Sequence, residues 1–296
     1  MRKGIALLKK AGNIIIEVGF WGSVCLIVYV CLLIFLFASF KIPTDSMTPT
    51  LVPGDFVLVN KAITGARVFN IFASLREEET PIYRLPGLKK VEADDVIIFN
   101  FPYPNSMDSL QMHIMKYYAK RCIGVPGDSL VIRNGFYGLA GKEERKIGFL
   151  PGQERLSRHL AEVMKEGDLH YSFPYDSVAG WNIRDFGALY IPAKGDYISM
   201  TPFHFLLYRK LIEWEQKASL QLAPDGSVTL GGKALPFYRF CHNYYFAGGD
   251  HAIDSRDSRY WGLLPEEFIV GKVWRIWKSV DPLTGKMRWE RVLTAP

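Results

Sequence analysis

The chain is poor in the materials of metal centres, disulfide frameworks and nucleic-acid surfaces. Its four cysteines stand singly at positions 25, 31, 122 and 241, with no Cys-x-x-Cys pair and no histidine at ligand spacing. No metal site is therefore expected from spacing. Cys25 and Cys31 fall inside an apolar run, where a thiol serves as a small hydrophobe. Cys122 and Cys241 would bridge only if the fold brought them together. Half of the formal charge of +6 comes from Arg2, Lys3, Lys9 and Lys10 set against Glu17. The remainder is too thinly spread to be a nucleic-acid footprint. Internal repeats and low-complexity tracts are also missing. An apolar fraction of 49% over 296 residues excludes a disordered chain and leaves room for one large domain or two modest ones.

What the chain does have is one uncharged stretch of 23 residues, 18–40. As a helix it would reach about 35 Å, enough for a hydrocarbon core of about 30 Å. A cleavable signal peptide has an apolar region of only about 7–15 residues, so a retained transmembrane helix is expected. The basic cluster at 2–10 should stay cytoplasmic, which assigns 1–17 to a cytoplasmic segment and everything after residue 40 to the far side. Ser46 follows 6 residues after that run, in a Pro-bracketed segment read as a turn.

Beyond it, short strands punctuated by Gly and Pro predominate. Strands are expected at 56–60, 96–101, 117–125, 129–133, 244–246 and 268–277, and residues 62–90, with the acidic run 77–79, read as a surface excursion. On 117–125 the period-2 rule puts Tyr118, Lys120 and Cys122 on one face, an unusual setting for a lysine. From 134 to 240 the character changes. Helical spacing at 156–165 and 205–216 and strands within 188–200 and at 228–230 suggest an inserted α+β subdomain. The fold class expected is mainly β, with a catalytic β domain made from 41–133 and 241–296.

Three separated segments carry the chemistry: Ser46-Met47-x-Pro49-Thr50, Lys120-Arg121 ahead of a Gly-x-Pro-Gly-Asp turn, and Gly249-Asp250 through Ser255-x-Asp257-Ser258-Arg259-x-Trp261-Gly262. In this order, after a membrane helix, they resemble bacterial type I signal peptidase, a membrane-anchored Ser/Lys endopeptidase. The resemblance implies an antiparallel β catalytic domain, Ser46 as nucleophile and Lys120 as general base, with no cofactor. It further implies an oxyanion site at the Ser46 N–H and the Thr44 hydroxyl, and Ser255 as the residue orienting the lysine. Asp250, Asp257 and Arg259 become structural residues near the site, and Met47 and Tyr118 line the substrate pocket. The implied partners are signal peptides of exported preproteins and membrane lipid. The implied location is the bacterial inner membrane, with the catalytic domain on the periplasmic side. Independently of the name, a free lysine is neutral in only about one molecule in 2,500 at pH 7, so its use as a base requires burial that disfavours the ammonium.

Two positions depart from the family pattern: Asp45 stands where Gly is frequent, and His251 follows Asp250 where Asn is usual. His251 also permits a Ser-His-Asp arrangement with Asp250 or Asp254, which would leave the lysine segment unexplained. The Ser-x-x-Lys motif of penicillin-binding enzymes is excluded by Pro49. A soluble self-cleaving repressor with a Ser/Lys dyad would not need the uncharged run. A catalytically inactive membrane-tethered binding protein of the same fold is the remaining alternative.

Overall fold

The computed structural model describes residues 2–70, 76, 82–142, 144–163 and 171–296. The acidic run 77–79 and the last two residues of the helix expected at 156–165 lie outside the described residues. Helix α1, Arg2–Phe35, contains a segment, Gly12–Leu32, of mean hydropathy 2.2 with none of it buried, long and apolar enough to cross a membrane. The helix expected at 18–40 is thus displaced toward the N-terminus: it ends at Phe35, and residues 37–40 enter strand β1, Phe37–Lys41. Apolarity alone does not separate a helix from a strand. Here β1 gains a complete antiparallel register with β2, Asp55–Asn60, from Phe37 opposite Asn60 to Lys41 opposite Phe56.

Residues 62–90 hold two short paired strands, β3 (Arg67–Val68) and β4 (Tyr83–Arg84). The Arg84 guanidinium fastens this excursion by donating to the carbonyls of Thr64, Gly65, Glu266, Glu267 and Ile269 at 2.6–3.2 Å. Next come β5 (Val96–Asn100), β6 (Tyr117–Gly124), β7 (Ser129–Arg133) and β8 (Phe136–Leu139). Helix α2 (Leu150–Val163), β9 (Phe186–Tyr190), β10 (Tyr197–Ser199) and α3 (Pro202–Gln216) follow. Thr201 caps α3 by accepting from the His204 N–H, and Pro202 occupies its first turn. Strands β11 (Leu220–Leu222), β12 (Val228–Leu230), β13 (Lys233–Ala234) and β14 (Phe237–Arg239) complete the insert. The chain closes with β15 (Tyr244–Gly248), the short helix α4 (Ser258–Trp261), β16 (Leu264–Pro265) and β17 (Ile269–Ser279).

Seven strands form the main antiparallel sheet in the order β1-β2-β17-β5-β6-β15-β16. β5 is buried along its whole length and feeds both faces by alternation. Ile97 and Phe99 enter a large cluster with Cys122, Phe186, Tyr208, Phe240 and Phe246, while Val96 and Ile98 enter a smaller one with Ile42, Met47, Leu51 and Val59. The sheet curls, because β1 and β6 stand four places apart in it and yet the rings of Phe40 and Tyr117 lie 4.6 Å apart. Insert residues contribute to the large cluster, and Leu156, Leu160 and Ile183 form a small third one with Ala252. A division at 133/134 falls inside the three-stranded sheet β8-β7-β9. All four cysteines are free, Cys122 buried and Cys241 exposed.

The C-terminal tail locks the loop between β1 and β2. Asp55, fully buried, accepts from Ser279 Oγ at 2.7 Å, from the Val52 N–H at 2.9 Å and from Arg291 Nη2 at 2.7 Å. Arg291 also donates to the Thr50 carbonyl at 2.9 Å, and Arg288 to that of Pro53 at 2.6 Å. Burial raises the Asp55 pKa, but the Arg291, Val52 and Ser279 bonds outweigh it and hold the carboxyl below its ordinary value. Its stabilisation is accordingly present above the ordinary carboxylate value and is lost as pH falls from there through the depressed folded value. Arg291→Ala should destabilise the full chain in detergent by about 3 kcal/mol, as expected for a buried charge losing the nearer of its two arginine partners, Arg288 remaining at 3.8 Å. Thermal unfolding at neutral pH and at pH 3 checks this: the gap between variant and parent should shrink in acid, and a constant gap would contradict it.

Candidate active site

Ser46 lies in the loop between β1 and β2, and the loop is shaped by its apolar residues. Met47 and Leu51, 1% and 0% exposed, sit in the smaller cluster, while Ile42 N donates to the Asp55 carbonyl and Gly54 N to the Ile42 carbonyl, closing the base. Burying Met47 fixes its neighbour Ser46 at the rim. Lys120 occupies the middle of β6 opposite Ile97 of β5, on the face it shares with half-exposed Tyr118 and buried Cys122. The two meet: Lys120 Nζ, on a side chain 1% exposed, lies 2.5 Å from Ser46 Oγ in a hydrogen bond.

Burial is the largest influence on Lys120 and brings its pKa down from 10.5 to about 8; Asp257 works against this, Arg259 with it, and Asp250 and Asp254 against it. Arginines hold two of those acids. Asp257, fully buried, accepts from Arg259 Nε and Nη2 at 2.8 Å each, and from the Gly249 N–H at 2.9 Å. Asp250 accepts from Arg121 Nε at 2.8 Å and Nη2 at 2.6 Å, and from Thr50 Oγ1 at 2.5 Å. Among the described residues, Lys120 has no carboxylate within ion-pair distance. The arrangement therefore offers a hydroxyl beside an amine that gives up its proton near neutral pH.

Thr44 lines a cleft of about 500 Å³ together with Ser46, Met47, Phe40, Tyr117 and Tyr118. Among the described residues, neither the Ser46 N–H nor the Thr44 hydroxyl is engaged by a protein hydrogen bond, so both remain available to a ligand in the cleft. Ser255, expected to orient the lysine, makes no hydrogen bond to it here. It is buried nearby, but among the described residues its Oγ has no hydrogen-bond partner, and the bond that would orient Lys120 is absent. The side chain packs onto Gly249 instead: a Cβ at 249 would fall 2.1 Å from Ser255 Oγ. His251 does not bond the Ser46 hydroxyl; its backbone N–H donates to the Ser46 carbonyl at 3.1 Å. Thr50 and Arg121, which join the serine loop to Asp250, were quoted within the motifs but given no role by sequence reasoning. Their only signal was membership of those segments. Asp45 and His251, read as separate departures, face one another at 3.6 Å.

The sequence model of the family described as "Signal peptidase, peptidase S26" matches residues 15–167 and 212–277, a span that includes Ser46, Lys120 and the 249–262 segment. The chain is 26% identical over 262 residues to a signal peptidase I of Buchnera aphidicola, covering 85% of this chain and 73% of that protein. It is 25% identical over 289 residues to signal peptidase I of Haemophilus influenzae, with 88% and 70% covered. A signal peptidase I structure from Enterococcus faecalis matches 63% of this chain and 99% of its own at 18% identity, and its TM-score of 0.27 is too low to bear on the fold. With a buried lysine against a serine in a β domain behind an apolar helix, and a family match over most of its length, this chain belongs to the signal peptidase family, peptidase S26.

Proposed function

We propose that the chain cleaves signal peptides from preproteins with Ser46 as nucleophile and Lys120 as general base. The observation carrying this is the 2.5 Å contact between Lys120 Nζ and Ser46 Oγ inside a buried niche. The neutral amine accepts the hydroxyl proton as Oγ attacks the scissile carbonyl, and the resulting ammonium hands that proton to the departing amine. An acyl-enzyme ester on Ser46 remains. Lys120 then deprotonates a water that attacks the ester, and the ammonium returns that proton to Ser46 Oγ as the acyl bond breaks and the other product leaves. The tetrahedral oxyanion is met by the Ser46 N–H and the Thr44 hydroxyl, the two donors left open at the cleft.

Substrate binding follows from two unfilled strand edges. Among the described residues β15 pairs with β6 only at Arg121, Cys122 and Gly124, which leaves residues 117–120 open on that side, and β1 pairs only with β2. An extended peptide laid between β1 and the start of β6 gains main-chain bonds and passes the Ser46 hydroxyl, with Met47 and Tyr118 at the wall. α1 is read as a single membrane span with its N-terminus cytoplasmic. The serine lies only 11 residues after Phe35, which brings the active site to the outer face of the bacterial inner membrane, where a preprotein held by its own apolar segment presents its cleavage point. Shared confinement in the bilayer raises the effective concentration of substrate without high affinity.

Detergent-solubilised chain incubated with a preprotein should release mature product. Ser46→Ala and Lys120→Ala should each lower the rate by at least about 10³-fold. Processing unchanged in both would refute the dyad, and its absence in the parent chain would favour the inactive binding-protein reading. Because the amine works only when neutral, kcat/KM should rise with pH through an apparent pKa of about 8. A profile flat from pH 6 to 9 would contradict a lysine base. Gly249→Ala tests positioning. Its Cβ would meet the Ser46 carbonyl oxygen at 2.6 Å and Ser255 Cβ at 2.5 Å, so kcat should fall by about 10²-fold with the circular dichroism spectrum retained. Full activity would show that this contact does not hold the serine in place.

A further inference from the structure

Asp45 and His251, with Asp254, form a constellation that the dyad does not use. One ligand atom from each lies within 4.8 Å of the others. The three come from distant parts of the sequence: Asp45 directly precedes Ser46, while His251 precedes and Asp254 ends the short 3-10 turn Ala252–Asp254, where the Asp254 N–H donates to the His251 carbonyl at 3.0 Å. The His251 N–H bond to the Ser46 carbonyl at 3.1 Å fixes one segment against the other. That bond holds together the two segments that carry the three side chains.

Two observations point to a ligand. His251 Nδ1 is shielded from solvent and has no hydrogen-bond partner among the described residues, a state that buried polar nitrogens seldom occupy. Its nearest acid oxygen, Asp45 Oδ2, is 3.6 Å away, too far for a hydrogen bond. Two donors each about 2.0–2.2 Å from one tetrahedral ion stand roughly 3.3–3.6 Å apart, which matches that spacing. Charge agrees with geometry. Among the described residues neither Asp45 nor Asp254 is paired with a lysine or arginine, so with a neutral imidazole the three groups present two uncompensated negative charges. Asp45 and His251 are 54% and 31% exposed, which leaves an ion a path from solvent and room for water ligands.

We propose that Asp45, His251 and Asp254 bind a divalent transition-metal ion, of the class that accepts one imidazole and two carboxylates, at the mouth of the active site. Imidazole with carboxylate favours Zn²⁺ and its neighbours over Mg²⁺ or Ca²⁺, which prefer all-oxygen sites. A bound ion ties the serine loop to the 251–254 turn across the nucleophile, so occupancy is sensed where the reaction occurs. The proposal does not depend on turnover.

Untagged full-length chain, stripped of metal and held in detergent, is titrated with ZnCl2 by calorimetry. The expected result is one ion per chain with a micromolar Kd, at least tenfold weaker binding in both His251→Ala and Asp254→Asn, and parent-like binding in Ser46→Ala. Mg²⁺ at the same concentrations should not compete. Co²⁺ substituted into the parent chain needs no variant to fold and should show a visible spectrum of nitrogen and oxygen ligation. Absence of saturable Zn²⁺ binding, equal affinity in His251→Ala and Asp254→Asn, or an intense near-ultraviolet thiolate band placing Co²⁺ on a cysteine would each overturn the proposal.

Discussion

The burial of one amine governs the active site. Lys120 is 1% exposed on a central strand, and the cost of keeping an ammonium there makes its neutral form accessible near neutral pH. Much of the surrounding structure serves to prevent the usual remedy, which is a carboxylate that would hold the proton in place. Asp257 and Asp250 are close enough to act on the lysine, and each is claimed instead by an arginine, Arg259 and Arg121. The Arg259 pair therefore has an electrostatic consequence besides a structural one: its guanidinium works against the rise that Asp257 and Asp250 impose on the lysine.

The serine half depends on packing. Met47 and Leu51 plug the loop into the smaller cluster, Thr50 reaches Asp250, and Arg288 and Arg291 fasten the loop from the C-terminal tail. These restraints come from four separate parts of the chain. They bring a residue between β1 and β2 to a lysine on β6, and the curl of the sheet makes the same approach, since Phe40 of β1 touches Tyr117 of β6. The cleft is the gap left between those two strands.

Much of this was legible in the sequence where local periodicity decides the outcome. The shared face of Tyr118, Lys120 and Cys122 follows from the period of a strand, and strands 129–133 and 228–230 have the limits that their turn residues imply. The end of the apolar helix was not legible, because Phe37, Ala38 and Phe40 suit a helix or a strand equally and only pairing with β2 decides. The Arg291 clamp on Asp55 is a contact across 236 positions with no local signature. Asp45 and His251 were visible as unusual residues, but their meeting beside Ser46 depends on the bond between the His251 N–H and the Ser46 carbonyl. Ser255 was marked only by the resemblance, and its side chain lies against Gly249 with its Oγ unpartnered among the described residues.

The central claim is that folding alone brings this lysine's pKa down to about 8, so that its neutral form is accessible near neutral pH. NMR titration of the full chain in micelles with lysines carrying ¹³C at Cε, and the Lys120 signal assigned by its loss in Lys120→Arg, measures this without reference to turnover. The account requires a midpoint of about 8. A midpoint near the ordinary 10.5 would contradict it.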